Sequence, residues 1–293
     1  MVRKIKVRTA LNIHKYRDKW FLDDYSVNPY SGCSFNCVYC HIRGWRRKSI
    51  ETPISAKINV PEILEGQLKT RANKDKYGII ALSTSTEPYM KMEEKFQLTR
   101  KTLEVISRYR FPVHILTKSI LVLRDIDLLK EIDRNAILPE DLRILKRGVI
   151  VTFSISTLDE SLSSIVEPGA PAPLKRMEAM KMCKKEGLLT GIAFIPVLPF
   201  LSDSEEKLNE MIKTARDYGA DYVFVGALTL YGDKPSDCKT LYYKFLERQY
   251  PNLVLKYRNL FGTGFQPSGD YLRVLKETAR RICGRYGIKM NIL

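Results

Sequence analysis

Three cysteines and a histidine stand close together near the amino terminus: Cys33, Cys37, Cys40 and His41. Thiolates and imidazoles are side chains that bind zinc ions and iron-sulfur clusters. The same stretch, residues 31 to 48, also carries four basic residues: Arg43, Arg46, Arg47 and Lys48. The cysteine spacing is compatible with three kinds of site, namely haem attachment, a zinc ion or an iron-sulfur cluster.

The three interpretations make different demands on the chain. Residues 37 to 41 match the C-x-x-C-H haem pattern,, but that attachment goes with exported chains, and the basic amino-terminal residues lack the features of a secretory signal. Zinc would take His41 as its fourth ligand, although the adjacent Cys40 and His41 cannot easily both face one tetrahedral ion. An iron-sulfur cluster held by three thiolates leaves one iron open to another molecule.

The elements that position these residues follow from the hydrophobic pattern. Short β-branched or aromatic runs bounded by Gly, Pro or Asn predict six strands, at residues 25 to 32, 78 to 86, 111 to 118, 148 to 157, 190 to 199 and 221 to 230,. Helical spacing predicts helices within residues 60 to 72, 93 to 110, 124 to 135, 172 to 187 and 202 to 219, with two more at about 239 to 250 and 268 to 286,.

Apolar strands that alternate with helices predict an α/β protein with a parallel sheet covered on both faces. Each strand ends in a polar stretch, and in a barrel those ends meet on one face and build one site. We therefore expect a partial (β/α)6 TIM-type barrel with a C-terminal helical extension. The predicted organisation is a basic lead-in over residues 1 to 24, the barrel core over 25 to 231 and the extension over 232 to 293.

The composition limits the partners of the protein. A formal net charge of +16 attracts polyanions such as nucleic acids,, although a charge-rich, glutamine-poor chain also fits a protein from a hot environment. No apolar run approaches the roughly 18 residues that span a bilayer. Six cysteines with a single cluster favour metal or redox chemistry in a reducing compartment,, so we expect a cytoplasmic protein without a membrane partner.

The spacing C-x3-C-x2-C directly after the first strand, with the aromatic Tyr39 before the third cysteine, resembles the radical SAM superfamily. The segments "NPYSGCSFNCVYC", "STSTEPY", "SISTLDESL" and "FIPVLPFLSDSE" are similar to its spore-photoproduct-lyase-like branch, over roughly residues 20 to 230. The resemblance implies that Cys33, Cys37 and Cys40 hold a [4Fe-4S] cluster. It also implies that the open iron binds S-adenosylmethionine, which a one-electron donor of the ferredoxin or flavodoxin type cleaves reductively to a 5′-deoxyadenosyl radical.

The resemblance also assigns cofactor contacts to residues at the strand ends. Tyr39 contacts the adenine or packs on the cluster loop. The cofactor-binding segment from Thr84 to Glu87 takes the place of the superfamily's GE motif, so Thr86 or Glu87 receives the methionyl ammonium. Lys118 pairs with the methionyl carboxylate, as a point-charge partner.

Later strands add further expected contacts. We expect Ser154 and Ser156 to face opposite sides of their strand, so that only one reaches the ribose or carboxylate. Ile195 and Pro196 fit an adenine-facing strand or plain core packing, and Glu167 either binds substrate or braces a loop.

One departure from the photoproduct lyases concerns the hydrogen-atom donor. Those enzymes use a cysteine near the end of the second strand, where this chain has residues 83 to 86 without a cysteine. Cys238, after the sixth strand, is the candidate that reaches the same site from another side. Repair of the spore photoproduct itself is therefore doubtful on sequence grounds.

The leading hypothesis is a radical SAM enzyme that modifies or repairs DNA or RNA, with Arg43, Arg46 and Arg47 at the edge of a polyanion site. Two alternatives remain open at this level. One keeps the chemistry and changes the substrate to a peptide or small metabolite. The other is a non-catalytic, zinc-containing nucleic-acid-binding protein.

Overall fold

The computed structural model describes residues 2–45, 53–82 and 85–293. Within these ranges the main sheet contains β2 (Leu11–Ile13), β3 (Tyr25–Val27), β6 (Ile80–Leu82), β7 (Val113–Thr117), β8 (Val149–Ser154), β9 (Leu189–Val197) and β10 (Tyr222–Ala227). Its spatial order is β10-β9-β8-β7-β6-β3-β2. All six strands from β3 to β10 in that order run parallel, and β2 pairs antiparallel with β3.

The predicted α/β fold class is confirmed, and each of the six predicted runs contains one of the parallel strands. Every residue of β8 is buried, as expected for a parallel strand covered on both faces. The sheet is open: among the described residues, β10 and β2 are its two edges. The architecture is therefore a partial barrel rather than a closed one.

A second, small sheet has the order β1-β5-β4. Its strands are β1 (Arg3–Ile5), β4 (Tyr30–Ser31) and β5 (Ser55–Lys57). β4 follows β3 almost directly, so this sheet leads the chain from the barrel into the cysteine loop. The hydrophobic pattern did not predict β1, β2 or β5, because these three-residue strands, with the sequences RKI, LNI and SAK, do not lie within longer apolar runs as β3 and β6 do,.

The helices cover the sheet: α1 (Val60–Ala72), α2 (Glu93–Phe96), α3 (Leu98–Arg108), α4 (Ile126–Asn135), α5 (Glu160–Val166), α6 (Pro173–Lys185), α7 (Glu205–Asp217), α8 (Cys238–Gln249), α9 (Val254–Phe261) and α10 (Gly269–Tyr286). The predicted helix over 93 to 110 is wrong as a single element, because Gln97 adopts a left-handed conformation that divides it into α2 and α3. In the described part of the chain, no helix has the length and apolar character to cross a membrane.

The carboxyl-terminal helices pack in two places. Helix α10 lies against α7 and β10, on the outside of the barrel. Aromatic residues of α8 and α9, among them Tyr242 and Tyr257, join a buried cluster with Phe35, Cys37 and Tyr39. This second contact places α8 and α9 directly behind the cysteine loop.

Candidate active site

A cavity of about 1060 Å³ opens at the carboxyl ends of the parallel strands. It collects most of the site residues predicted from the sequence: Cys33, Cys37, Tyr39, Cys40, Thr86, Glu87, Lys118, Ser154, Ile195 and Pro196. The rule that parallel strand ends share one face therefore holds here. Residues far apart in sequence contribute to a single site.

The cysteine loop is held by main-chain hydrogen bonds from the segment after α5. Val38 N–H donates to Val166 O at 3.0 Å, and Gly169 N–H donates to Phe35 O at 3.0 Å. A Cβ atom at Gly169 would lie 2.4 Å from Ser34 O, so the two loops approach as closely as a glycine allows,. The position of the three thiols thus depends on a segment more than 120 residues away in sequence.

The donor set fits an iron-sulfur cluster. Cys33, Cys37 and Cys40 all line the one cavity, and within the described ranges no three Cys, His, Asp or Glu side chains form a group that could hold a single metal ion. A cluster spreads its thiolate ligands over separate iron atoms. Burial raises the pKa of Cys37 to about 12, although the ammonium of Lys118 opposes that effect. Metal binding favours the thiolate form of a cysteine.

Lys118 lies beside the cysteines with its ammonium directed at strand β8. Its Nζ donates to Ser154 Oγ at 2.9 Å and lies 5.8 Å from the centre of the Tyr39 ring. Burial opposes protonation, but the negative charges of Cys37 and Glu167 hold the pKa of Lys118 above its ordinary value. The cavity therefore contains a permanent cation next to the cluster loop.

Glu87 presents a buried carboxylate to the same cavity. Oε1 accepts from Tyr89 N–H at 3.1 Å and from the Thr117 hydroxyl, and Oε2 accepts from Lys118 N–H at 2.9 Å. Burial raises the pKa of Glu87, and these hydrogen bonds oppose the shift. A carboxylate accepts about four hydrogen bonds, so with respect to the described residues Oε2 retains capacity for one further donor. Thr86 stands beside Glu87, with its Oγ1 3.5 Å from Asn28 Oδ1.

Glu167 lies behind the cavity rather than on its wall, as far as the described lining shows. Its carboxylate accepts from the Tyr39 hydroxyl and from Ser156 Oγ at 3.1 Å. Its Oε2 forms an ion pair with Arg176 Nη2 at 2.6 Å. Burial disfavours the charge, but Arg176 and then Lys118 hold the pKa of Glu167 below its ordinary value. This geometry favours a bracing role for Glu167 over substrate contact.

Ser154 lines the cavity, whereas Ser156 is fully buried against Glu167. Of the two serines only Ser154 is in the described lining of the cavity, and the expectation that they face opposite sides of the strand was wrong. Residues two apart share a face of a strand. The two side chains diverge because β8 ends at Ser154 and the chain turns away before Ser156.

Cys238 is absent from the described cavity lining. Its buried thiol accepts from Tyr231 N–H at 3.1 Å, and burial raises the pKa of this thiol. Arg43 extends along the cysteine loop and donates to Asn36 Oδ1. The predicted residues Thr84, Arg46 and Arg47 lie outside the described residues.

Sequence reasoning missed one wall of the cavity. Residues 14 and 16 to 21, between β2 and β3, line it together with His114 from β7. His114 is buried, and burial lowers its pKa to about 4. The one feature of the sequence that could have indicated this wall is the run of aromatic and basic residues in "HKYRDKWF". Its hydrophobic pattern has no helical or strand period, so its position in the fold could not be predicted.

The fold and the site together define an α/β enzyme whose cavity joins a three-cysteine loop to the ends of parallel strands. The family model of the Radical SAM superfamily matches residues 27–212. The chain belongs to the Radical SAM superfamily. It is an enzyme, and membership implies a [4Fe-4S] cluster and S-adenosylmethionine as its cofactors.

Two relatives are similar to the chain over most of its length. An uncharacterized protein of Mycobacterium tuberculosis is 29% identical over 269 residues, which cover 89% of this chain and 74% of that protein. One of Methanocaldococcus jannaschii is 29% identical over 211 residues, or 71% of each chain.

Two solved structures share the fold at low identity. Spore photoproduct lyase with bound AdoMet and dinucleoside spore photoproduct matches with a TM-score of 0.69 and 16% identity, over 97% of this chain and 78% of that one. SuiB of Streptococcus suis bound to S-adenosylmethionine matches with a TM-score of 0.51 and 14% identity, over 80% and 47%.

Proposed function

We propose that this enzyme uses a [4Fe-4S] cluster held by Cys33, Cys37 and Cys40 to modify or repair a nucleic acid. The observation that carries the proposal is the single cavity that the three cysteines share with polar groups from the strand ends. When both cofactors are bound, they would supply two kinds of chemistry: reductive cleavage of S-adenosylmethionine and abstraction of a hydrogen atom from the substrate. The chain supplies the binding, the orientation and the dry site.

Two charged side chains at the strand ends, Lys118 and Glu87, match the two charged ends of the methionyl group. Lys118 provides a cation for the carboxylate, with Ser154 2.9 Å away as a neutral donor. Glu87 Oε2 provides an acceptor for the ammonium, because one of its hydrogen-bond positions is unfilled,. Together they would orient the cofactor beside the cysteine loop, with Ile195 and Pro196 on an apolar part of the wall.

Support for a nucleic-acid substrate comes from charge and from a relative. The net charge of +16 favours polyanions,, and the likeness to spore photoproduct lyase with a dinucleoside bound makes a nucleotide-sized occupant reasonable. The same charge favours an acidic one-electron donor of the ferredoxin or flavodoxin type. Because the protein is an enzyme, the alternative of a non-catalytic, zinc-containing nucleic-acid-binding protein is excluded.

The test has a cofactor arm and a substrate arm. Anaerobic reconstitution with iron and sulfide is expected to give broad visible absorption that bleaches with dithionite, followed by 5′-deoxyadenosine formation from S-adenosylmethionine. Stoichiometric zinc without that product would contradict the cofactor assignment. In the substrate arm, RNA and DNA oligonucleotides are expected to bind with a steep salt dependence. If neither RNA nor DNA binds at any salt concentration, the nucleic-acid substrate is excluded and a peptide or small metabolite becomes the proposed substrate.

A further inference from the structure

One wall of the cavity is formed by residues 14 and 16 to 21, and the segment from 14 to 21 is here named the N-terminal strap. It connects β2 at one edge of the sheet to β3, and it reaches across to the other edge. There Trp20 and Phe21 pack on Phe224 of β10, with ring centres 5.4 and 5.7 Å apart. The strap therefore bridges the open side of the partial barrel.

The strap has a fixed conformation. The Asp18 carboxylate accepts from Trp20 N–H at 2.7 Å and from Phe21 N–H at 2.9 Å. His114 Nδ1 lies 2.8 Å from Phe21 O, and the carbonyl can only accept, so the neutral imidazole carries its proton on Nδ1. His14 Nδ1 lies 3.0 Å from Asp23 at the end of the segment. Aromatic side chains on the strap are therefore held in place before any ligand arrives.

Two of those aromatic side chains are open to solvent although they line the cavity. Trp20 packs on the Phe224 ring at an interplanar angle of 31° and keeps 41% of its surface exposed. Tyr16 is 77% exposed. Exposed aromatic rings at the mouth of a cavity offer flat surfaces on which another ring can stack.

The strap also carries cations without carboxylate partners. Arg17 is paired with Asp24 and Asp141. By contrast, neither Lys15 nor Lys19 has an Asp or Glu oxygen within 4.0 Å among the described side chains, and both are exposed. An anion next to the aromatic rings would therefore find two ammonium groups, those of Lys15 and Lys19, that form no ion pair among the described side chains.

We propose that the N-terminal strap binds the substrate, with one unpaired base of a single-stranded nucleic acid stacked on Trp20 and its phosphate against Lys19. The inference rests on the proposed function, since it specifies how that nucleic acid is held. Aromatic platforms interleaved with basic side chains are the usual means of binding single strands. A base stacked on this wall lies in the same cavity as Lys118 and the three cysteines.

The test compares strap variants with matched controls on the far end of the barrel. Trp20→Ala and Tyr16→Ala remove the stacking surfaces, and Trp20→Phe keeps one. Tyr218→Ala is the matched aromatic control, because Lys181 lies 5.4 Å from the Tyr218 ring much as Lys15 lies 5.2 Å from that of Tyr16. Lys185→Gln is the charge control for Lys19→Gln, since Lys185 is exposed at the end of α6, ahead of β9.

Binding of a fluorescein-labelled single-stranded oligonucleotide is followed by anisotropy at several salt concentrations. Trp20→Ala is expected to weaken binding about tenfold, as for the loss of one stacked base, and Trp20→Phe to restore most of it. Lys19→Gln is expected to reduce the slope of log Kd against log salt by about 0.7. The two controls are expected to bind as the wild type does.

The outcomes separate the strap from the proposed function. If wild type binds and Trp20→Ala and Tyr16→Ala bind equally well, the strap inference is wrong and the substrate class stands. If wild type binds no oligonucleotide, both are wrong, whatever 5′-deoxyadenosine the enzyme forms. Thermal melting of each variant is measured in parallel, and a destabilised Trp20→Ala leaves the exposed Tyr16 and Lys19 variants to decide.

Discussion

Arg176 and Glu167 form a fully buried ion pair, with Nη2 and Oε2 2.6 Å apart. Arg176 comes from α6, and Glu167 contacts the Tyr39 hydroxyl in the cysteine loop. The pair therefore links a barrel helix to the site through two side chains. Removing one partner of a buried pair leaves an uncompensated charge, which costs far more than the pair itself contributes.

Arg176→Met is expected to lower the free energy of unfolding by about 3–5 kcal/mol. Adding Glu167→Gln should recover part of that loss, because it removes a buried carboxylate whose nearest remaining cation, Lys118, lies 3.9 Å from Oε1,. Urea denaturation of both single variants and the double variant measures the coupling. Lys207→Met is the control, since its ion pair with Glu210 is half exposed and is worth at most about 1 kcal/mol. Strict additivity of the two buried substitutions would contradict this account.

Cys33→Ser, Cys37→Ser and Cys40→Ser are each expected to abolish cluster assembly, measured as iron content and visible absorption after anaerobic reconstitution. The reason is that three thiolates are the minimum set in this cavity,. Cys283→Ala on α10 is the matched control, and Cys238→Ala is expected to retain iron because its thiol bonds to Tyr231 instead. Normal iron content in any of the three serine variants would refute the ligand assignment.

Gly169→Ala is expected to destabilise the protein and impair cluster loading together. The added methyl group would meet Ser34 O at 2.4 Å and Phe35 Cα at 2.7 Å, and these are main-chain atoms that cannot move without displacing the cysteine loop. Gly66→Ala in α1 is the control: its Cβ meets nothing within 4 Å, so it should stabilise the helix by up to about 1 kcal/mol. Melting temperature and iron content are the measurements. An unaffected Gly169→Ala protein would argue against the close approach of the two loops.

Lys118→Met is expected to weaken S-adenosylmethionine binding about 10- to 100-fold, as for the loss of a charge-assisted hydrogen bond. Isothermal titration of the reconstituted enzyme measures the effect. Lys130→Met is the control, because Lys130 lies on α4 in an exposed pair with Glu186. Equal affinities for wild type and Lys118→Met would exclude Lys118 as the carboxylate partner.

His114 predicts a pH dependence of stability. Its folded pKa of about 4 lies below the ordinary value of 6.5 because burial opposes the charge. Between these values the unfolded chain binds a proton that the folded chain does not, so stability falls as the pH drops from about 6.5 to about 4, by about 3 kcal/mol in total.

His114→Asn stays neutral over that range and should lose this part of the acid sensitivity. Urea titrations near pH 7 and pH 4.5 compare the two proteins, and the carboxylate titrations they share cancel in the difference. Identical pH dependence in wild type and variant would show that His114 is not buried as described.

The sequence predicted the parts of the molecule that repeat a local pattern. Strands such as β8 are nearly continuous apolar runs, and α7 follows the N-cap residue Ser204, whose hydroxyl accepts a hydrogen bond from Lys207 N–H,. The N-terminal strap has no such pattern. Its position is fixed by contacts such as that of Phe21 O with His114, 93 residues away, and nothing in the local sequence encodes them.

The residues of the candidate site also fall into those that the sequence predicted and those that it could not. The rule that strand ends share a face found Glu87, Lys118 and Ser154. The same rule could not predict that Glu167 lies behind the cavity, in contact with Arg176 and the Tyr39 hydroxyl. That distinction depends on how α6 packs behind the site, which the spacing of residues does not reveal.

The main-chain bonds between the cysteine loop and the segment after α5 bear on how the sequence can evolve. The bonds of Val38 to Val166 and of Gly169 to Phe35 use backbone atoms, so they place no demand on the identity of a side chain. Selection to keep this contact would act on Gly169 alone, while the other three positions drift among apolar residues that fit. An ancestral reconstruction of the family is therefore expected to retain the glycine long after its neighbours have been replaced.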